Sequence, residues 1–197
     1  EHSGARTKYN TWLSKQDWYN TDGEYGHLFG YLYDEAPQRR DYIESILDKA
    51  IPSWGYLYLA SLLENQVFNT VFTTNFDDLI NEACYLYTDG VRPIVCAHDS
   101  EVSSVRLTRK RPKIIKLHGD FLFDSIKNTP EETSRLTENM ETKLVQFGHE
   151  YGLVVIGYGG RDNSVMSLLE KLITQRDYFK HGIYWCIRKG GEPRTRV

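Results

Sequence analysis

Between Asn69 and Ile187, five short runs of β-branched and aromatic residues alternate with longer stretches of helical period. The runs are NTVFTTN (69–75), RPIVCAHD (92–99), RPKIIKLHGD (111–120), LVVIGYGG (153–160) and GIYWCI (182–187). Between them lie FDDLINEACYLY (76–87), TPEETSRLTENMETKLVQFGHEYG (129–152) and DNSVMSLLEKLITQRDYF (162–179), each spacing apolar residues three or four apart. Parallel strands cannot be joined by tight hairpins, so strands separated by helix-length segments point to βαβ units. The expected fold is α/β, a doubly wound, mostly parallel sheet of Rossmann-like type. KIIKL and VVIG are apolar at successive positions, so both are expected to be covered on each face. In the long middle helix Thr129 reads as the N-cap, Pro130 as the first residue and Glu132 as the partner closing a capping box. Asp162 or Asn163 reads as the cap of the next helix.

The preceding residues read differently. EYGHLFGYLYD (24–34), PQRRDYIESILDKA (37–50, with Pro37 in its first turn) and WGYLYLASLLEN (54–65) are helical patterns, and residues 1–23 are polar, with one short helix expected over TWLSKQDWY (11–19). The expected division is a polar segment 1–23, a domain over 24–190 and a polar tail 191–197. With 197 residues, 40% of them hydrophobic, the chain can build one core. A net charge of −3 argues against a general nucleic-acid binder. RLTRKRPKIIK packs six basic residues between Arg106 and Lys116, and a solvated loop before a strand explains it better than nucleic-acid contact does. No stretch has the length of a membrane span and no secretory signal opens the sequence, so the expected location is the cytoplasm. The three cysteines, Cys84, Cys96 and Cys186, form no Cys-x-x-Cys pair, which removes a structural zinc site and a disulfide framework; no metal is expected. Cys96 and Cys186 sit in apolar runs and read as small core residues.

Function is concentrated where strands end. In open α/β sheets ligands bind outside the carboxyl ends of the strands. Three strands here end in Thr73-Thr74-Asn75-Phe76-Asp77, in His118-Gly119-Asp120 and in Gly157-Tyr158-Gly159-Gly160-Arg161-Asp162. The glycines allow close backbone approach to a phosphate or ribose, and the helix beginning at Asn163 would aim its N-terminus at the same place, which points to a nucleotide. Gly-Tyr-Gly-Gly is not the spaced-glycine fingerprint of dinucleotide sites, and a simple tight turn accounts for it equally well. His118 has the chemistry of a general base near neutrality. A carboxamide at a buried strand end, such as Asn75, needs polar partners that ribose hydroxyls or water would supply. Asp77 and Asp78 are also consistent with charges at a helix start.

With these residues in view, the chain resembles the sirtuins. TTNFD is similar to the sirtuin Thr-Gln-Asn-Ile-Asp motif, KLHGD to the His-Gly motif, and VIGYGGRD occupies the place of the Gly-Thr-Ser loop. The wording, including the NTPEE helix start and the IYWCI strand, is nearest to the prokaryotic sirtuin-like domains of antiphage defence systems, over roughly residues 24–190. The resemblance implies NAD as substrate and an NAD-depleting glycohydrolase. It implies that Asn75 holds the nicotinamide ribose and orients a water, that Asp77 contacts the nicotinamide amide and that His118 is the general base. Thr73, Thr74, Phe76 and Gly119 would line the cofactor. Gly157, Tyr158 and Gly159 would line the adenosine side, Asp162 a ribose hydroxyl and Arg161 a phosphate. It further implies a sensor or regulatory module or subunit, fused or separate, with nucleic-acid sensing among the options, and assembly as a homo-oligomer.

Two departures shape the expectation. The two Cys-x-x-Cys pairs of zinc-dependent sirtuin deacylases are absent, so protein deacylation is not expected. No Gly-Ala-Gly-x-Ser phosphate loop occurs from Glu1 onward, so either the N-terminal part of the natural domain lies outside this sequence or segments are missing, and the cofactor pocket of this chain alone is expected to be incomplete. The alternative reading is a non-catalytic NAD- or ADP-ribose-binding regulatory module.

Overall fold

The computed structural model describes residues 2–19, 24–106, 108–120 and 136–191. Four helices lead: α1 (His2–Leu13), α2 (Glu24–Leu32), α3 (Ala36–Leu47) and α4 (Trp54–Glu64). Then follow β1 (Thr70–Thr73), α5 (Leu79–Tyr87), β2 (Ile94–Cys96), α6 (Asp99–Val102), β3 (Lys113–Lys116), α7 (Glu138–Glu150), β4 (Leu153–Ile156), α8 (Asn163–Ile173) and β5 (Ile183–Cys186). Each of the five runs contains its strand, and every strand pair is parallel. The α/β class therefore stands.

Among the described residues the strands pair in two groups, β1-β3-β2 and β4-β5, rather than as one continuous sheet. β3 is central in the first group, and its four residues are all buried, as expected for KIIK. One face of this sheet meets α4 and α5 through Val71, Val95 and Ile114, packed with Ala60, Leu63, Ile80, Ala83 and Cys84. The other face, with Phe72, Cys96, Ile115 and Leu117, packs under α7 and α8. Leu153, Val155, Ile183 and Trp185 of β4 and β5 pack into that same helix-covered core. Their alternate neighbours do not. Val154 is 41%, Ile156 67% and Tyr184 63% exposed, and Cys186 is exposed too. VVIG is thus covered on one face only, and Cys186 is a surface thiol rather than a core residue. Side chains alternate across a strand, so β4 and β5 put every second residue on a side where no described element packs.

Helix boundaries differ from the sequence expectation where side chains compete for the backbone. The N-terminal helix runs earlier than 11–19: after Leu13 the amides of Lys15 and Gln16 bond to Trp12 and Leu13 in tight three-residue turns, which end it. α5 begins at Leu79, not Phe76, because Asp77 Oδ1 accepts the Leu79 amide at 3.1 Å and holds the chain in a turn. α7 begins at Glu138 after an extended Thr137. Its first amides are taken by Asp99 of α6, whose carboxylate accepts from Asn139 N (3.0 Å), Met140 N (3.1 Å) and Asn139 Nδ2 (2.7 Å). Thr129, Pro130 and Glu132 lie outside the described residues. Asp162 caps α8, accepting from Ser164 N at 2.8 Å and Val165 N at 3.2 Å, a contact worth about 1 kcal/mol.

Candidate active site

The register brings two of the three clusters to one edge. Thr73 of β1 stands opposite Lys116 of β3, and Leu117 N bonds to Thr73 O at 2.8 Å, extending the ladder by one step. Asn75 and His118 each follow two residues after those partners, on neighbouring parallel strands, so both leave the sheet at its carboxyl edge. Past His118 the chain turns at Gly119, whose φ of +89° is one that side-chain-bearing residues rarely adopt.

The third cluster joins through the His118 imidazole. His118 is only 4% exposed, and its Nε2 lies 2.5 Å from Asp162 Oδ2, between the end of β3 and the start of α8. Asp162 accepts as well from Ser164 Oγ at 2.6 Å, so the carboxylate that caps the helix is the one that meets the imidazole. Burial pushes the Asp162 carboxyl up, but the His118 hydrogen bond and charge, with those of Ser164 and Val165, outweigh it and hold it below its ordinary value. An ionised carboxylate only accepts, so the proton on this bond belongs to Nε2. In the neutral ring Nδ1 then carries a lone pair. Nδ1 is buried and finds no partner among the described residues. A buried ring nitrogen without a partner among the described residues is uncommon.

The β1 turn spends much of its polarity on its own backbone. Thr73 Oγ1 accepts from Asn75 N at 3.0 Å, and Asp78 Oδ2 accepts from Asn81 Nδ2 at 2.9 Å. One oxygen of Asp77 is committed to Leu79 N. The Asn75 side chain is left exposed, its Nδ2 at 3.5 Å from the Tyr56 hydroxyl of α4. Burial and then the Asp77 charge raise the Tyr56 phenol above its ordinary value. Thr74 and Phe76 are half-buried beside Asn75.

At the end of β4, Gly157 has φ +70° and open space where a Cβ would stand. Tyr158 leans on Trp185 of β5 (centroids 5.8 Å apart), and Trp185 Nε1 donates to Tyr158 O at 3.1 Å. The Tyr158 hydroxyl reaches Asp162 O at 3.4 Å, which ties the glycine turn to the capped helix. Gly159 is exposed beside the exposed Arg161.

Two residues at the site were not singled out by sequence. Tyr56 is one of fourteen tyrosines and lies on a helix ahead of the first strand, so nothing in its pattern distinguishes it. Lys116 leaves a signal, a lysine closing an apolar strand directly before Leu-His-Gly, but it also falls at the end of a basic stretch that reads as a solvated loop. It is 1% exposed, as buried as the isoleucines beside it.

The model of the SIR2-like domain family matches residues 69–196, from β1 through β5. The chain belongs to the SIR2-like domain family, whose members use NAD. No curated protein matches the chain. The matched span holds Asn75, His118 and Asp162, while α1–α4, including Tyr56, precede it. Among the described residues no group of three or more His, Cys, Asp or Glu is placed to hold a metal, and no helix is long and apolar enough to cross a membrane.

Proposed function

We propose that the chain is an NAD glycohydrolase, converting NAD and water to nicotinamide and ADP-ribose, and that it serves as an NAD-depleting effector of bacterial antiphage defence in the cytoplasm. The observation that carries this reading is the buried His118, bonded through Nε2 to the Asp162 carboxylate and holding an Nδ1 with no partner among the described residues. In an NAD-using family, such a group is a base ready for a proton from water or a ribose hydroxyl.

The chemistry needs little else. The bond between C1′ of the ribose and the nicotinamide nitrogen breaks with its electron pair leaving on nicotinamide, which becomes neutral. The ribose passes through an oxocarbenium-like state, and water adds at C1′ while its proton goes to His118 Nδ1. Asn75, exposed at the edge, orients the ribose and the water. The other carboxylate oxygen of Asp77 faces the carboxamide of nicotinamide, and the Asp77 and Asp162 charges favour a developing cation. Thr73, Thr74, Phe76 and Gly119 form the wall around the ribose. The open Gly157 turn, with Tyr158, Gly159 and Arg161, offers backbone and a cation to the adenosine diphosphate. A sensor module and a homo-oligomer would switch this activity on, since an unregulated NAD hydrolase would harm its host.

The test is to incubate the protein with NAD and separate the products. The reading expects nicotinamide and ADP-ribose in equal amounts and a loss on the order of 10²-fold or more in Asn75→Ala and His118→Ala. In phage-challenged bacteria expressing the protein, NAD should fall with the wild type and not with His118→Ala. Binding of NAD that leaves it intact under every activating condition would instead identify a non-catalytic regulatory module.

A further inference from the structure

A lysine at the end of a buried strand needs a reason, because its ammonium must be compensated when withdrawn from water. Lys116 Nζ has three oxygens around it. It donates to Asp120 Oδ2 at 2.6 Å and to Phe76 O at 3.2 Å, and it lies 3.6 Å from Asp78 Oδ1. Asp120 is in the turn that follows His118, four residues after the lysine. Phe76 and Asp78 are in the turn that follows β1, on either side of Asp77 and directly after Asn75. One buried cation therefore holds both turns of the carboxyl edge, and the carbonyl it holds lies between the two residues assigned to the nicotinamide ribose and amide.

Lys113, three residues earlier on the same strand, shows that burial alone does not produce this arrangement. It is 0% exposed, and Nζ donates to Arg109 O at 2.5 Å, in the loop before the strand. An odd separation puts the two lysines on opposite faces of β3.

We propose that Lys116 is the positioning residue of the site. Its ammonium clasps the turn of residues 75–78 to the turn of residues 118–120 and so fixes Asn75 and Asp77 relative to the His118 imidazole. The lysine itself touches no substrate. The catalytic half of this proposal rests on the NAD reading above; the positional half does not.

The test compares the wild type with Lys116→Met/Asp120→Asn, which removes both charges together, with Lys116→Arg, and with Lys113→Met as a buried-lysine control. Amide hydrogen exchange over residues 74–80 is measured alongside kcat and KM for NAD cleavage. In the double variant, exchange over 74–80 should quicken about tenfold or more while that of β3 stays within twofold. Its kcat should fall on the order of 10²-fold, with KM changing far less. Lys116→Arg should recover part of both, and Lys113→Met should change neither. Should the double variant not fold, Asp120→Asn alone, which keeps the lysine and removes its shortest partner, must show a smaller rise in the same segment. Unchanged exchange over 74–80 in a folded variant overturns the clasp. Faster exchange with unchanged kcat keeps the clasp and overturns its catalytic role. If the wild type cleaves no NAD, the exchange result still decides the clasp, and only the glycohydrolase reading is lost.

Discussion

The two sheets of this molecule share helices and little else. The β1-β3-β2 sheet has α4 and α5 on one face and α7 and α8 on the other, and its central strand is wholly buried. The β4-β5 sheet packs one face on that common core and leaves Val154, Ile156, Tyr184 and Cys186 exposed on the other. Parallel sheets are almost always covered on both sides. The difference separates two tasks. The covered sheet fixes a rigid edge bearing Asn75 and His118, with Lys116 beneath them. The half-covered sheet reaches that edge at a capped helix end, where Asp162 meets the imidazole. Chemistry that needs all three residues depends on how firmly the second sheet is held against the first.

The sharpest way to break this contrast is thiol chemistry, because one cysteine lies on the bare face and two are in the covered core. Burial raises Cys84 to about 11 and also pushes Cys96 up, and both are enclosed. Under native conditions a thiol reagent should modify Cys186 about 10³-fold or more faster than Cys84 or Cys96, which wait for the core to open. Three cysteines reacting together would mean that the covered sheet is open as well. A Cys186 as slow as the other two would mean that its face is buried in solution.

Stability should divide the same way. Ile115, at 0% exposure in β3, should cost about 2–5 kcal/mol on change to alanine in denaturant unfolding. Ile156, 67% exposed in β4, should cost no more than about 0.5 kcal/mol. Equal costs would erase the distinction between the sheets.

The joint between the sheets should show itself in acid. The folded Asp162 carboxyl lies below its ordinary value, so its contribution to stability is present above about pH 4 and lost as pH falls through the lower folded value. Asp162→Asn should lower stability by about 1 kcal/mol at neutral pH. The gap from the wild type should narrow in acid, where the wild-type carboxyl takes up its proton. A gap that stays constant from pH 7 to pH 3 would show that the charge is not what the joint uses.

What the sequence made legible follows from which interactions are local. The alternation of runs identified each strand, because β-branched residues and turn residues announce themselves within a few positions. Asp162 as a helix cap was one of two candidates for the same reason. The polar density after β1 and β3 marked the edge, and register then set Thr73 beside Lys116 as the parallel pattern requires. Non-local choices were not legible. VVIG reads as a strand covered on both sides, yet cover depends on which helices fold over it, and here no described helix takes the outer face. The partnership of His118 with Asp162 spans 44 residues, and read from sequence both side chains point to the nucleotide rather than to each other. Lys116 was hidden because a charged residue in a strand is ordinarily read as solvent-facing, and only the packed structure shows it inside.

The account turns on the imidazole joining the two sheets with its Nε2 committed to Asp162. Nitrogen-15 NMR of the His118 ring followed across pH, in the wild type and in Asp162→Asn, reads this without any substrate. In its neutral form the wild-type ring should hold its proton on Nε2, and the variant should lose that preference. A neutral wild-type ring with its proton on Nδ1, or identical signals in the two proteins, would contradict the claim that Asp162 orients His118.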